Sequence, residues 1–110
     1  MKRDAEHEIF WSVADEFIAT GQVEEGTMMG HHCLRSTKGG GFVATIERSS
    51  GDLVVKLPRT RVGELIESDE GREFAPEGKV FREWVAVSAE RTDQWPSLIE
   101  ESIAFVGTND

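Results

Sequence analysis

The chain has 110 residues, of which 38% are hydrophobic and 30% charged, and a formal net charge of −9. That describes one domain, large enough to build a core without disulfide or metal staples. Its longest apolar runs are three or four residues, which excludes a membrane-spanning helix. The acidic surplus argues against indiscriminate nucleic-acid binding, which relies on Lys and Arg to neutralise phosphates.

The charge is uneven. Residues 1–26 are net −5, residues 27–66 net +3 and residues 67–110 net −7. The basic middle block leaves room for a local anionic partner, and solvated strand edges are the plain explanation of its six cations. The N-terminal stretch from Met1 to Glu8 has no apolar segment after Lys2 and Arg3, so no secretory leader is expected. The single cysteine, Cys33, has no internal disulfide partner and fits a reducing cytoplasm.

The first element is an amphipathic helix over residues 5–20. Asp4 is placed to cap it, and Ile9, Phe10, Val13, Phe17 and Ile18 recur at helical spacing. Trp11 falls at the edge of that stripe, and Gly21 is placed to end the helix. After a turn at Gly26-Thr27-Met28-Met29-Gly30, residues 27–36 read as the first strand. Lys38-Gly39-Gly40-Gly41 is a hairpin loop, because glycine supplies the positive φ that such turns need. Phe42, Ala44 and Ile46 alternate with Val43, Thr45 and Glu47 in a second strand. Ser49-Ser50-Gly51-Asp52 is the next turn. Leu53–Leu57 is apolar on both parities apart from Lys56 and is expected at the centre of a sheet.

Pro58 ends that ladder by removing a backbone donor. A short helix follows over residues 60–67, with Thr60 as its cap and Val62, Leu65 and Ile66 inward. Residues 68–80 are polar and broken by Gly71, Pro76 and Gly78, which makes a long loop anchored by Phe74. Residues 82–88 form the last strand. Residues 93–106 form the clearest helix, with Trp95, Leu98, Ile99, Ser102, Ile103 and Val106 on one stripe, Thr92 or Asp93 as cap and Gly107 as terminator. The order α-β-β-β-α-β-α, with an antiparallel sheet packed against helices, defines an α+β domain over residues 1–110.

The ordered pieces Thr27-Met28-Met29-Gly30, Val54-Val55-Lys56-Leu57-Pro58-Arg59, Phe81-Arg82-Glu83-Trp84-Val85 and Trp95-Pro96 resemble the N-terminal domain of the TfoX/Sxy family. The similarity spans most of residues 5–107, and the YjbR-like (MmcQ) family is a more distant rival. The resemblance implies a small α+β domain without established catalytic residues. The family's regulators carry a second, helical domain after this one, whereas this sequence stops at Asp110, which weakens any transfer of competence regulation. A DNA-binding role borrowed from YjbR-like proteins would rest on fold analogy.

Few residues suggest chemistry. His31 and Cys33 share a strand parity, but zinc would need one or two further ligands, and a Cys-His nucleophile pair lacks an orienting group. The Gly39–Gly41 loop leads into a strand and has no following Lys-Ser/Thr, so it is not a phosphate loop. The paired acids Glu24-Glu25 and Asp69-Glu70 sit in solvated turns. No catalytic set, metal or cofactor is therefore expected. Two surfaces remain as candidates. Arg35, Lys38, Arg48, Lys56, Arg59 and Arg61 would form a basic patch on the hairpins, with Phe42 and Trp84 expected in the core. Met28, Phe74 and Trp84 would line a groove beside the 68–80 loop. The leading expectation is a cytoplasmic, non-enzymatic interaction or regulatory module acting through a protein partner or self-association, without a membrane. A nucleic-acid-associated regulator using the basic hairpins comes second and a small-molecule binder third.

Overall fold

The computed structural model describes residues 8–28, 31–47, 50–75 and 78–108. In chain order these form α1 (Glu8–Ala19), β1 (Val23–Met28), β2 (His31–Ser36), β3 (Phe42–Ile46), β4 (Leu53–Lys56), α2 (Arg59–Glu67), β5 (Arg72–Phe74), β6 (Phe81–Val87) and α3 (Trp95–Thr108), with a 3-10 turn at Ala89–Arg91. The strands make one antiparallel sheet in the spatial order β1-β2-β3-β4-β6-β5. The fold is α+β, with helices and strands alternating in the expected blocks.

Two of those blocks hold an additional strand. Residues 27–36, expected as one strand, belong to a hairpin in which Val23 lies opposite Ser36 and Met28 opposite His31. Gly26 and Thr27 are thus inside β1 rather than in a turn. β1 lacks a hydrophobic alternation because it is an edge strand whose Glu24 and Glu25 are exposed. Gly26 leaves room for the Arg35 side chain of the neighbouring strand, whose Cδ would lie 2.3 Å from a Cβ placed there. The 68–80 loop likewise contains β5, the opposite edge strand, which is three residues long.

The middle of the sheet is apolar on both faces. Ala44, Val55 and Val85 stand in register, as do Ile46, Leu53 and Val87. They join one core cluster with Phe10, Trp11 and Ala14 of α1, Val62 and Leu65 of α2, and Trp95, Leu98, Ile99 and Val106 of α3. On the opposite parity Cys33, Thr45, Val54 and Ala86 line up across β2, β3, β4 and β6, and all four are buried. The central position expected for β4 follows from these two rows.

Each helix departs from its expected face or end for a local reason. In α1 the buried residues are Phe10, Trp11 and Ala14, while Ile9 is 57% exposed. Ile9 and Trp11 flank Phe10 on either side, and the larger apolar surface of Trp11 wins the burial. Its ring meets His32 edge-on at 5.8 Å. Gly21, at φ +82°, ends α1 as expected. Asp4 lies outside the described residues.

In α2, Thr60 is inside the helix. Pro58 precedes the first turn, which has no side-chain capping bond. Val62 and Leu65 point inward, but Ile66 is exposed. In α3, Gly107 is within the helix rather than beyond it. The side-chain cap near its start belongs to Ser88, whose Oγ accepts from Glu90 N at 3.1 Å and begins the 3-10 turn. Trp95 is anchored by Nε1, which donates to the Ser88 carbonyl at 3.2 Å.

Two polar contacts fix long-range geometry. Arg72 of β5 donates to Asp52 at 2.8 Å and also to Glu47, while Asp52 accepts from Ala89 N at 3.0 Å. This ties the short edge strand to the β3–β4 connection and to the 3-10 turn. On the other side, fully buried Ser102 of α3 donates to the Val43 carbonyl at 3.0 Å, next to the register shift between β2 and β3. Ser102→Ala should lower stability by about 1–2 kcal/mol, because it removes a buried hydrogen bond between α3 and the strand at the bulge. Urea unfolding with an unchanged slope would check this.

Candidate functional site

A groove of about 200 Å³ lies between α2 and the start of β6. Val62, Gly63 and Ile66 of α2 form one wall. Val80, Phe81 and Trp84 form the other, and Arg59, Arg82 and Glu73 complete the lining. Four large apolar side chains are exposed among the described residues, and three of them, Ile66, Val80 and Phe81, are here; the fourth is Ile9. Phe74 supports the strand wall, with its ring centroid 5.9 Å from that of Phe81. The opening has a cause in the sheet. Val85 pairs with Glu73, but the next pair is Phe81 with Phe74, so β6 carries extra residues at its start and leaves the regular ladder.

The charges at this groove differ from those elsewhere. Arg61 donates to both carboxylate oxygens of Glu101, at 2.9 and 3.3 Å, and to Glu64 at 3.2 Å. These bonds, that to Glu101 foremost, push its pKa further up. Arg72 is engaged by Asp52 and Glu47. Arg35 donates from Nε to the Gly40 carbonyl at 3.2 Å and lies over the Phe42 ring at 5.9 Å. Arg59 and Arg82, by contrast, have no hydrogen-bond or ion-pair partner among the described residues. Lys79 adds a third cation, 5.8 Å from the Phe81 ring centroid.

The residues expected to line a groove are only partly brought together. Trp84 lines it and Phe74 backs it, both half-buried rather than anchored in the core. Met28 ends β1 at the opposite edge of the sheet, five strand steps or about 24 Å away from β5. Its hairpin with β2 places it there.

The expected basic patch also divides. Lys56 pairs with Trp84 across β4 and β6, and Arg59 lines the groove. Arg61 is neutralised by Glu101 and Glu64. Arg35 and Lys38 belong to β2 and its turn, separated from β4 by β3. Arg48 lies outside the described residues. Phe42 is half-buried beneath Arg35 rather than in the core.

The sequence motifs with ligand chemistry have structural settings. Cys33 is fully buried, and burial raises its pKa against the opposing effect of Arg35. A neutral, enclosed thiol is a poor nucleophile and a poor metal ligand. His32 packs against Trp11, and its Nδ1 has no partner among the described residues. Those residues contain no group of three His, Cys, Asp or Glu that could hold a metal. His7 lies outside them. Glu24 and Glu25 are exposed on β1, and Glu70 accepts from Ser68 Oγ at 2.7 Å. Among the described residues no helix is long and apolar enough to cross a membrane.

Gly63, Ile66, Val80, Phe81 and Arg82 were not among the expected site residues; Ile66 was expected to point inward, and Phe81 and Arg82 entered only through the motif of the family resemblance. Two signals were present: a glycine at the centre of a short helix, and the apolar pair Val80-Phe81 closing a polar loop. Comparison with protein-family models, curated proteins and solved structures yields no match. The site therefore stands on its own geometry: an apolar floor lined also by Glu73 and by Arg59 and Arg82, two guanidinium groups without a partner among the described residues.

Three outcomes follow. Gly63→Ala should raise stability by about 0.5–1 kcal/mol, since a Cβ there meets nothing within 4 Å and glycine disfavours a helix interior; thermal and urea unfolding would measure it. Iodoacetamide should modify native Cys33 at least about 100-fold more slowly than the urea-unfolded chain, because attack requires an opening event. Folding raises the thiol's pKa, so the unfolded chain releases this proton first. Cys33 should accordingly reduce stability as pH rises past about 9, and Cys33→Ala should remove that component.

Proposed function

We propose that this protein is a non-enzymatic, cytoplasmic interaction or regulatory module of the TfoX N-terminal type, and that it binds a protein partner through the α2–β6 groove. One observation carries the reading: three of the four exposed large apolar side chains among the described residues converge on a single groove. Clustered exposed apolar surface marks an interaction site, whereas isolated exposed residues do not. The motif order resembling the TfoX N-terminal domain supports the family part of this reading.

A second reading has its own observation. Lys56, Arg59 and Arg82 stand beside Trp84 and Phe81, and cations interleaved with aromatics suit single-stranded nucleic acid. The net charge of −9 and the internal pairing of Arg61 and Arg72 weigh against it. A small-molecule role ranks third, since about 200 Å³ is below the roughly 300–1,000 Å³ typical of such sites.

The test compares three baits in native lysate: wild type, Phe81→Glu with Ile66→Glu, and Ile9→Glu as a control remote from the groove. All replace exposed side chains and should fold with unchanged circular dichroism. Quantitative mass spectrometry should show partners retained by wild type and Ile9→Glu but lost from the groove variant. Equal recovery on all three baits, or selective loss with Ile9→Glu, would contradict the assignment.

A further inference from the structure

The chemistry of the groove's occupant can be taken further, resting on the reading of this groove as a docking surface. We infer that it accepts an extended, acidic segment of a partner protein. An apolar side chain of that segment packs on Phe81, Trp84 and Ile66. An adjacent Asp or Glu carboxylate is held between Arg59 and Arg82, and the segment's backbone passes over Gly63.

Gly63 is the first ground. It is central in α2 and lines the groove, its φ is not in the left-handed region, and an added Cβ would contact nothing within 4 Å. Neither the conformation nor the packing of this chain therefore calls for glycine, although glycine weakens a helix interior relative to alanine. What its missing side chain provides is a bare stretch of helix wall on which another backbone can lie closely.

Charge is the second ground. Arg61 and Arg72 are satisfied by this chain's own carboxylates, whereas Arg59 and Arg82 have no such partner among the described residues, and together they outnumber Glu73, the one carboxylate of the lining. A guanidinium fork matches a carboxylate, and two of them beside an apolar floor select a side-chain pair of one acid and one apolar residue. The rest of the protein is strongly acidic and repels such a segment in other orientations, so the attraction is local and directional. Size is the third ground. The volume of about 200 Å³ suits a single large apolar side chain and its neighbour.

The experiment is selection of a random linear peptide library on the full 110-residue chain, followed by fluorescence anisotropy with the enriched peptides. Enriched sequences should place Asp or Glu within one or two residues of Leu, Ile, Phe or Trp. Arg59→Glu with Arg82→Glu should reverse the preference toward Lys and Arg. Gly63→Leu should weaken binding by about tenfold or more without lowering the melting temperature, with Gly63→Ala as a smaller step in the same direction. Enrichment without acidic residues, no enrichment, or equal affinity for the Gly63 variants would overturn the inference. Salt-sensitive binding of a labelled single-stranded oligothymidine, abolished by the same arginine reversals while no peptide is enriched, would replace it with a nucleic-acid site. If the Phe81→Glu, Ile66→Glu bait loses its lysate partners while selection yields nothing acidic, the docking reading stands and this inference fails. If that bait keeps its partners, the docking reading fails first.

Discussion

The structure depends on the pairing of one four-residue strand, β4, with neighbours on both sides. Val55 lies opposite Ala44 of β3 and Val85 of β6, and Leu53 lies opposite Ile46 and Val87. β4 thereby joins the N-terminal β1–β4 meander to the hairpin of β5 and β6. Its Leu53, Val54 and Val55 have no exposed surface, so a register slip of one residue would turn a whole apolar row toward the wrong layer. The helices follow from this. The chain leaves β4 at Leu57-Pro58, runs through α2 and β5, and must return so that β6 can occupy the place beside β4. That return lays α2 across β6 and β5. Gly71 makes the close packing feasible, because a Cβ there would come within 2.6 Å of Val85 Cγ2.

The groove is a consequence of the same path. β6 holds the regular ladder from Trp84 onward against β4, but toward its start it must also meet β5, and the two requirements are reconciled by the extra residues between Val85 and Phe81. Ile66, on the turn of α2 past the buried Leu65, then faces Val80 and Phe81 across an open cleft. Away from the groove, several polar side chains find partners within the chain: Ser102 on Val43, Arg72 on Asp52 and Glu47, Arg61 on Glu101. At the groove those habits stop. A helix-weakening glycine, exposed apolar side chains and arginines without a partner among the described residues occur together, and local violations of folding preference that cluster in one place are where function is expected.

Much of the fold was legible because it rests on local signals. Helical spacing located all three helices, Gly39 and Gly40 with φ of +95° and +78° mark the hairpin, and the two-sided apolar pattern of Leu53–Leu57 marks the centre of the sheet. The edge strands were hidden for physical reasons. β1 and β5 present polar residues to solvent, and their strand character comes from the neighbour that pairs with them rather than from their own sequence. Missing the β1–β2 hairpin moved Met28 to the wrong place, while Phe74 and Trp84, beside the strand that does pair with β4, fell at the groove. Arg59 and Lys56 were noticed for their charge, but whether a cation is free or paired depends on partners such as Glu101, 40 residues away from Arg61, and no short-range pattern carries that. The groove itself brings Gly63 and Ile66 together with Phe81 and Arg82 across the β5 excursion, so its membership is a property of topology.

The central claim is that a rigid centre at β4 supports an edge left open for docking. Native-state amide hydrogen exchange measures this directly. Amides of Val54 and Val55, with those of Val85 to Val87, should exchange only through global unfolding. Those of Val80 to Arg82 and of β5 should exchange through local opening at much lower free energy. Protection at β5 or Phe81 equal to that at β4, or exchange at β4 through local opening, would contradict it.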